Sequence, residues 1–241
     1  MPKPSVQVIG PGRAGRSLAL ALTQAGWRSR PILGRGDDPS PAASRADLVV
    51  IATPDAEIAE VARRIEPSPT AVVAHLAGSL GLDVLAPPPR RAAIHPLVAM
   101  PTPEVGAERL AGGAWFALAR DGDPLGGRVV ADLGGRSFVV ADEDRAAYHA
   151  AAVIASNHLV ALLGQVERVA AGVGVPFEAY LDLVRATIDN VASLGPAAAL
   201  TGPVARGDDV TLERHLEALD PSERPAYQAM VDLARRLAEG R

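Results

Sequence analysis

The sequence of 241 residues contains no cysteine, which excludes disulfide bonds, thiolate catalysis and zinc sites built on cysteine. Lysine is nearly absent as well, because only Lys3 among the 24 basic residues is a lysine. A residue so close to the N-terminus is expected to be poorly ordered. Schiff-base chemistry and acid catalysis by lysine are therefore all but eliminated.

The sequence also lacks an excess of positive charge. The formal net charge is −4 at pH 7, and the isoelectric point is near 5.7. Proteins that bind nucleic acid or membrane surfaces usually carry a basic patch, so neither partner is predicted. The five histidines follow no metal-ligand spacing, and no metal site is predicted.

Long hydrophobic runs are missing. The N-terminal residues lack the apolar segment of a secretory signal, and the apolar stretch Ala150–Leu163 is too short to cross a bilayer. We therefore expect a cytoplasmic protein that binds no membrane. Hydrophobic residues make up 48% of the chain and charged residues 22%, which is typical of a globular protein with a sizeable core.

Strand-like runs alternate with helical patterns as far as about residue 140. The predicted strands are Ser5–Gly10, Arg28–Leu33, Asp47–Thr53, Thr70–His75, Arg91–His95, Ala114–Ala119 and Arg136–Val140. Leu18, Ala21 and Leu22 have the spacing of one helix face, and Asp55 is the predicted N-cap of a later helix. The alternation predicts an α/β fold with a doubly wound parallel sheet.

The pattern changes after Asp142, where no further strand is evident. Two apolar stripes follow at helical spacing: Phe177, Leu181, Val184, Ile188 and Val191, and then Tyr227, Val231, Ala234 and Leu237. We predict two domains, an α/β domain over residues 1–142 and an all-helical domain over residues 143–241.

The first predicted strand leads into the segment GPGRAG and then into an amphipathic helix. In this context Gly10 permits a tight turn, Gly12 lets the backbone approach a pyrophosphate, and Gly15 allows close packing of helix and strand. The free N–H groups of the helix N-terminus, at Arg13 and Ala14, favour an anion. The motif therefore predicts a dinucleotide-binding domain.

The end of the second predicted strand distinguishes NAD from NADP. An NAD site usually places an acidic residue there, but this sequence has none on the strand end, and Arg35 could bind a 2′-phosphate. The acidic residues Asp37 and Asp38 follow closely and weaken the inference. NADP is favoured over NAD, and Thr53 and Pro54 at the end of the third strand are also assigned to the cofactor site.

Six segments together resemble a known family: VIGPGRAGRSLALAL, ADLVVIATPDAEI, HLAGSLGLDVL, AAIHPL, YHAAAVIASNHLVALL and ALTGPVARGD. The chain is similar to predicted NADP oxidoreductases that join an N-terminal Rossmann-like domain to a C-terminal helical domain of unknown function. These proteins lie within the 6-phosphogluconate-dehydrogenase-like superfamily. The resemblance implies NADP as cofactor and a homodimer formed through the helical domain.

More distant relatives include ketopantoate reductases, pyrroline-5-carboxylate reductases and prephenate dehydrogenases, which move a hydride to or from small carboxylate-bearing substrates. One difference is important. Ketopantoate reductases place a lysine four residues before an asparagine that Asn157 resembles, whereas this chain has Val153 there. Another group must therefore supply a proton.

Few side chains qualify for that role. His149 lies early on the first helix after the sheet, and Ser156 and Asn157 follow about two turns later, with Ser156 on the same face. His95 ends the fifth predicted strand, at the edge where α/β sheets bind ligands. His149 and His95 are the candidate proton donors. His149 could equally be a structural histidine, and His95 could instead anchor a loop. Tyr148 is expected to pack in the core.

Other polar residues are candidates for orienting a substrate. His75 and Ser79 end the fourth predicted strand, and for both a loop-anchoring role is also plausible. Arg206 is the candidate clamp for a substrate carboxylate, since a guanidinium binds carboxylates through two parallel hydrogen bonds. Asp208 could orient Arg206 or simply cap the next helix.

Together these features predict an NADP-dependent oxidoreductase acting on a small carboxylate-bearing substrate, such as a 2-oxo acid of the ketopantoate type. Two alternatives stay open. One is a non-catalytic NADP-binding sensor or scaffold, which the missing lysine favours. The other is an imine reductase or a prephenate-like dehydrogenase.

Overall fold

The computed structural model describes residues 3–240, which form two compact units. The first unit ends at Ser156 and the second begins at Asn157. The last strand of the sheet ends at Val140, close to the predicted domain boundary, but the helix that follows it remains with the first unit.

A seven-stranded sheet forms the centre of the first unit. Its strands are β1 (Ser5–Ile9), β2 (Arg28–Ser29), β3 (Leu48–Ile51), β4 (Val72–His75), β5 (Arg91–Pro96), β6 (Trp115–Ala119) and β7 (Arg136–Val140). Their order across the sheet is β2-β1-β3-β4-β5-β6-β7. The seven strands and the doubly wound α/β architecture agree with the sequence analysis.

The sheet differs from the predicted one at two places. Strand β6 runs antiparallel to β5, with His95 opposite Ala117, because the connection between them returns the chain to the edge where β5 ends. Strand β2 contains only two residues, and the remainder of its predicted run contributes a single bridge between Ile9 and Leu33. All other strand pairs are parallel.

The helices of the first unit cover both faces of this sheet. They are α1 (Arg13–Gln24), α2 (Ala42–Arg45), α3 (Asp55–Arg64), α4 (Pro103–Ala111), α5 (Leu125–Asp132) and α6 (Arg145–Val153), with short 3₁₀ helices at Leu82–Leu85 and Asp142–Asp144.

Alternation along the strands divides the core into two layers, because successive side chains point to opposite faces. Leu48 and Val50 of β3 belong to one layer, with α1, α4 and α5. Val49 and Ile51 belong to the other, with α3. Strands covered on both faces read as continuous apolar runs, as β3 does.

The start of α3 departs from the prediction that Asp55 is its N-cap. Pro54 holds the N-cap position and Asp55 is the first helical residue. A hydrogen bond from the Ser79 hydroxyl to the Asp55 carboxylate, 3.3 Å long, engages that side chain instead. The carboxylate still lies in the first turn, where the helix dipole favours negative charge.

Helix α6 continues through a π-helical turn, Ile154–His158, into α7 (Leu159–Gly172). The whole helical stretch, Asp142–Gly172, contains 31 residues and is long and apolar enough to cross a membrane by length and composition alone. The expectation that the apolar stretch Ala150–Leu163 is too short to cross a bilayer is therefore wrong, because the helix extends beyond that stretch at both ends. None of the apolar window is buried, and a single helix of this kind is weak evidence for a membrane span.

The second unit is helical throughout its described residues. Its helices after α7 are α8 (Glu178–Leu194), α9 (Pro196–Ala199), α10 (Gly202–Arg206), α11 (Asp209–Ala218) and α12 (Arg224–Ala238). A short ion pair between Arg168 and Glu223 ties α7 to the start of α12. Of the two predicted stripes, the one on α12 is partly buried, with Val231 at its centre. The stripe on α8 contains no buried residue.

Candidate functional site

The turn after β1 has the geometry that the glycine motif predicts. Gly10 adopts φ +114°, in the region that favours glycine, and a Cβ there would lie 2.5 Å from the carbonyl oxygen of Ala52. A Cβ on Gly15 would overlap the carbonyl oxygen of Gly10. No larger residue fits at either position, so β1, α1 and the segment after β3 approach one another closely.

Gly12 lies at the start of α1, where it leaves the space in front of the helix N-terminus open. It holds the N-cap position of α1, and a Cβ built on it would meet nothing within 4 Å. Neither a capping side chain nor an acidic residue occupies this helix start. The N–H groups in the first turn, where Arg13 and Ala14 lie, are therefore free to bind an anion.

A cavity of about 550 Å³ opens beside this turn. Its lining includes five of the predicted cofactor residues, namely Gly10, Gly12, Arg35, Thr53 and Pro54. The volume lies within the usual range for small-molecule sites. The structure thus brings the glycine turn, the end of β3 and the loop after β2 together around one cavity.

Charged side chains surround the far end of this cavity. Arg35 is 91% exposed and forms an ion pair with Glu57 at 3.1 Å, while Arg64 also lines the cavity. The carboxylate of Asp37 accepts a hydrogen bond from the N–H of Gly34 at 2.6 Å. Arg35 therefore stands at the place where the sequence predicts a 2′-phosphate, with Glu57 competing for it, and Arg64 adds a second guanidinium to the lining of the same cavity.

A second polar group lies at the end of β5. The hydroxyl of Tyr148 and Nδ1 of His95 are 2.6 Å apart and form a hydrogen bond. The ring of His149 meets His95 edge to face, with centroids 5.5 Å apart. Tyr148 was expected only to pack in the core, and the structure instead joins its polar end to a candidate catalytic histidine.

Burial and neighbouring positive groups keep His95 neutral. The pKa of His95 is lowered from 6.5 to about 4, mainly by desolvation and in addition by charge repulsion from His149, Arg145 and His75. Desolvation also raises the pKa of Tyr148 to about 12. At neutral pH the pair therefore consists of an uncharged imidazole and an intact phenol.

His75, the last residue of β4, is fully buried. Its Nε2 lies 3.1 Å from the carbonyl oxygen of Gly81, so Nε2 carries the proton and donates it. Burial lowers the pKa of His75, which is consistent with a neutral ring. This contact is of the loop-anchoring kind, and Ser79 is engaged by Asp55 in the same loop.

His149 is held against the same loop. Its Nδ1 is buried without a hydrogen-bond partner, and a Cβ on Gly78 would overlap that atom. Only a glycine at position 78 lets the ring lie where it does. Because Nδ1 is sealed, Nε2 is the nitrogen through which His149 can interact with a ligand.

Arg145, the first residue of α6, lies in the same cluster. Its side chain is 0% exposed and its one ion pair joins Nε to the carboxylate of Asp142 at 3.3 Å. Both terminal nitrogens are buried and lack a partner. Among residues 3–240, the buried side-chain atoms without a partner all belong to His75, Arg145 and His149.

The remaining candidates, Asn157 and Arg206, belong to the second unit. Asn157 is exposed in the π-helical turn, and Arg206 is exposed at the end of α10. The side chain of Asp208 accepts a hydrogen bond from the N–H of Thr211 at 3.1 Å, so Asp208 caps α11. Within the described part of the chain no group of three or more potential metal ligands occurs.

Sequence reasoning missed Arg145, Gly78 and Glu57. Arg145, Tyr148 and His149 stand at positions i, i+3 and i+4 of one helix, which places them on one face. That spacing was visible in the sequence, but the strand end that faces it was not. Nothing local in the sequence distinguishes Gly78 or Glu57 from other residues of their types.

Comparison with known proteins agrees with this architecture. Residues 36–101 match the Rossmann-like domain family, and residues 117–234 match a family described as a domain of unknown function (DUF2520). No curated protein sequence matches the chain.

Solved structures similar to this chain cover almost its whole length. A provisionally assigned NADP oxidoreductase from Bacteroides fragilis is 21% identical, with a TM-score of 0.82 over 97% of this chain and 98% of its own. An Aspergillus terreus reductive aminase in complex with NADPH and ethyl levulinate is 16% identical, with a TM-score of 0.70 over 99% of this chain and 95% of its own. Plasmodium falciparum pyrroline carboxylate reductase with NADP bound is 13% identical, with a TM-score of 0.64 over 99% of this chain and 99% of its own.

The low pKa of His95 has a consequence for stability. The folded protein holds His95 neutral down to about pH 4, whereas the unfolded chain protonates it near pH 6.5, so stability is lost as the pH falls through this window. Between about pH 7.5 and 5 we expect wild type to lose about 2 kcal/mol relative to His95→Gln. Urea unfolding of both proteins at each pH measures the difference. A parallel pH dependence of the two proteins would contradict it.

Proposed function

Because this chain joins a Rossmann-like domain to a DUF2520 helical domain, we propose that it is an NADP-dependent reductase of a small carboxylate-bearing substrate. The observation that carries the proposal is the hydrogen-bonded pair of His95 and Tyr148 at the sheet edge where α/β folds bind ligands. The same compact unit holds the glycine turn and its cavity. The similar structures of oxidoreductases with NADP or NADPH support this cofactor.

The residues of the cavity fit a phosphorylated dinucleotide. Gly12 leaves the start of α1 open for the pyrophosphate, and Arg35 with Arg64 supplies positive charge for a 2′-phosphate. Arg35 must exchange its ion pair with Glu57 for the phosphate. The cofactor, when bound, supplies a hydride to the substrate.

Tyr148 and His95 supply the accompanying proton. A substrate that accepts a hydride at carbon develops negative charge or basicity at its oxygen or nitrogen, and a neutral phenol can donate a proton there. With Nδ1 of His95 protonated, the imidazole donates to the phenol oxygen and leaves the hydroxyl proton free for the substrate. His149, whose Nε2 is the available nitrogen, is placed to orient the substrate.

Reduction of a C=N bond is the leading chemistry. Several similar structures are of enzymes named imine reductases or reductive aminases, and pyrroline carboxylate reductase acts on a substrate with both an imine and a carboxylate. Reduction of the 2-oxo acid expected from the sequence likewise needs a hydride at the carbonyl carbon and a proton at the carbonyl oxygen. For either substrate, Ser79 of the first unit is proposed to orient it, and the roles expected from the sequence for Asn157 and Arg206 of the second unit stay predictions.

The proton donor is tested by replacing Tyr148 with Phe. We expect turnover of a cyclic imino acid or a 2-oxo acid to fall about 100-fold or more, with the affinity for NADPH unchanged, because only the proton donor is lost. NADPH oxidation and fluorescence titration measure the two quantities. Tyr227→Phe is the matched control, since Tyr227 forms a similar hydrogen bond with His215 in the second unit. Tight NADPH binding by wild type without turnover on either substrate class would favour a sensor instead.

Cofactor choice is tested at the far end of the cavity. Arg35→Ala should weaken NADPH binding by about 10-fold or more and leave NADH binding nearly unchanged, because only NADPH carries the 2′-phosphate. Glu57→Gln should strengthen NADPH binding, because Arg35 loses its competing carboxylate. Equal effects of Arg35→Ala on both dinucleotides would argue against the assignment.

A homodimer through the helical unit is also proposed. Helix α8 buries none of its residues, and Leu183, Ile188, Val191 and Leu194 are 39–64% exposed along one side of it. Exposed apolar faces of this kind mark protein interfaces. A second copy of the chain is the proposed partner, as the family resemblance implies.

The dimer is tested by sedimentation. Ile188→Glu places a charge on the apolar side of α8 and should shift the protein from dimer to monomer, because an unpaired charge is costly in an interface. Asp189→Asn, on the opposite side of the helix, is the control and should leave the dimer intact. A wild-type protein that sediments as a monomer would overturn the proposal.

A further inference from the structure

We propose that Arg145 is a positioning residue whose buried guanidinium further disfavours protonation of His95, beyond the effect of its burial, and stabilises the negative charge that Tyr148 acquires when it gives up its proton. The part that concerns Tyr148 rests on the function proposed above. The part that concerns His95 does not, because it depends only on the charge and the position of Arg145.

The first observation is the state of the guanidinium itself. Arg145 is among the largest fully buried side chains of the first unit, and its single carboxylate partner is Asp142. That carboxylate is 42% exposed and also accepts a hydrogen bond from the N–H of Leu82 at 2.8 Å. The positive charge of Arg145 is therefore only partly compensated, and a buried charge of this kind is costly to maintain.

The positive charge of Arg145 acts on groups within the protein and not on ions in solution. Both terminal nitrogens of Arg145 are sealed from solvent, so an anion from solution does not reach them in this structure. The charge acts instead on groups within the fold. A cation buried in a medium of low dielectric acts more strongly than one in water.

The neighbours of Arg145 come from four elements. Tyr148 lies on the same face of α6, three residues on, and Asp142 lies in the 3₁₀ helix before it. Desolvation is the main cause of the lowered pKa of His75 at the end of β4 and of His95 on β5, and the charge of Arg145 adds to the lowering in both. The charge of His149 lowers the pKa of His95 more than that of Arg145 does, whereas the carboxylates of Asp55 and Asp142 raise the pKa of His75. The Tyr148–His95 pair thus lies within the field of the buried cation.

The effect on Tyr148 has the sign that proton donation needs. Desolvation raises the pKa of Tyr148, and the charge of Arg145 opposes that rise. When the phenol O–H bond breaks and its proton forms an N–H or O–H bond on the substrate, Tyr148 becomes a phenolate. Arg145 stabilises this anion, and the N–H of His95 donates to it. Solvent returns the proton afterwards.

The charge of Arg145 also favours the neutral form of His95, which is the form that donates a hydrogen bond to the phenol oxygen of Tyr148. A protonated His95 next to Arg145 would place two positive charges together in a buried site, so the cation disfavours protonation. His95 therefore remains a neutral hydrogen-bond donor to the phenol oxygen. Without Arg145, part of the barrier to protonation of His95 would be gone.

The test is an NMR titration of the His95 ring in the full-length protein, without added cofactor or substrate. Arg145→Gln and Arg145→Met should raise the pKa of His95 from about 4 by about half a pH unit or more, and Arg145→Lys, which keeps the charge, should leave it close to the wild-type value. Arg120→Met is the matched control, because Arg120 is an exposed arginine that pairs with Glu143, two residues before Arg145. It should not move the titration.

Asp142→Asn provides a second route that keeps Arg145 in place if the neutral variants do not fold. Removing this carboxylate leaves the cation less compensated, so the pKa of His95 should fall below about 4. A His95 titration that is unchanged in Arg145→Gln, Arg145→Met and Asp142→Asn would overturn the proposal and leave Arg145 with a purely structural role.

Turnover separates this proposal from the proposed function. If wild type reduces its substrate, Arg145→Gln should lower kcat with little change in KM, and Arg145→Lys should restore much of the loss. If wild type shows no turnover but the His95 titration responds as expected, the reductase assignment fails and the electrostatic role of Arg145 stands.

Discussion

The close approach of β1, α1 and the segment after β3 is the constraint on which the first unit depends. Gly10 and Gly15 allow it, because a Cβ on either would collide with backbone atoms. This contact joins the central strands to the first helix and opens the start of that helix to the cavity. The same packing therefore stabilises the sheet and shapes the candidate dinucleotide site.

Parallel strands bring the chemistry to one edge. His75 ends β4, and His95 lies at the end of the adjacent strand β5, where it contacts Tyr148 and His149 of α6. There the low dielectric keeps both imidazoles neutral and makes the charge of Arg145 effective. Polar groups that are costly to bury are concentrated here, which is typical of a functional site.

Local patterns predicted most of the fold. The strands were visible because apolar runs bounded by glycine and proline mark them, and the glycine turn was visible because its motif is contiguous. Antiparallel pairing of β6 was not visible, since pairing direction depends on how the connection packs. The apolar stripe on α8 was visible in the sequence, but its lack of buried residues was not, because periodicity shows that a helix has an apolar face but not what covers it.

The candidate site was only partly predictable for a related reason. His95 and His149 stand out as rare polar residues in apolar surroundings, but the bond between His95 and Tyr148 joins residues 53 positions apart. The roles of Arg145 and Gly78 likewise depend on contacts with residues that are far away in the sequence, such as the contact between Gly78 and His149. Sequence spacing along one helix indicates a shared face, and only the folded chain shows what that face meets.

The helix that carries Arg145, Tyr148 and His149 belongs to the same compact unit as the sheet. The proposed proton donor and the glycine turn are therefore parts of one unit. An exchange of the C-terminal helices by recombination would leave both of them in place.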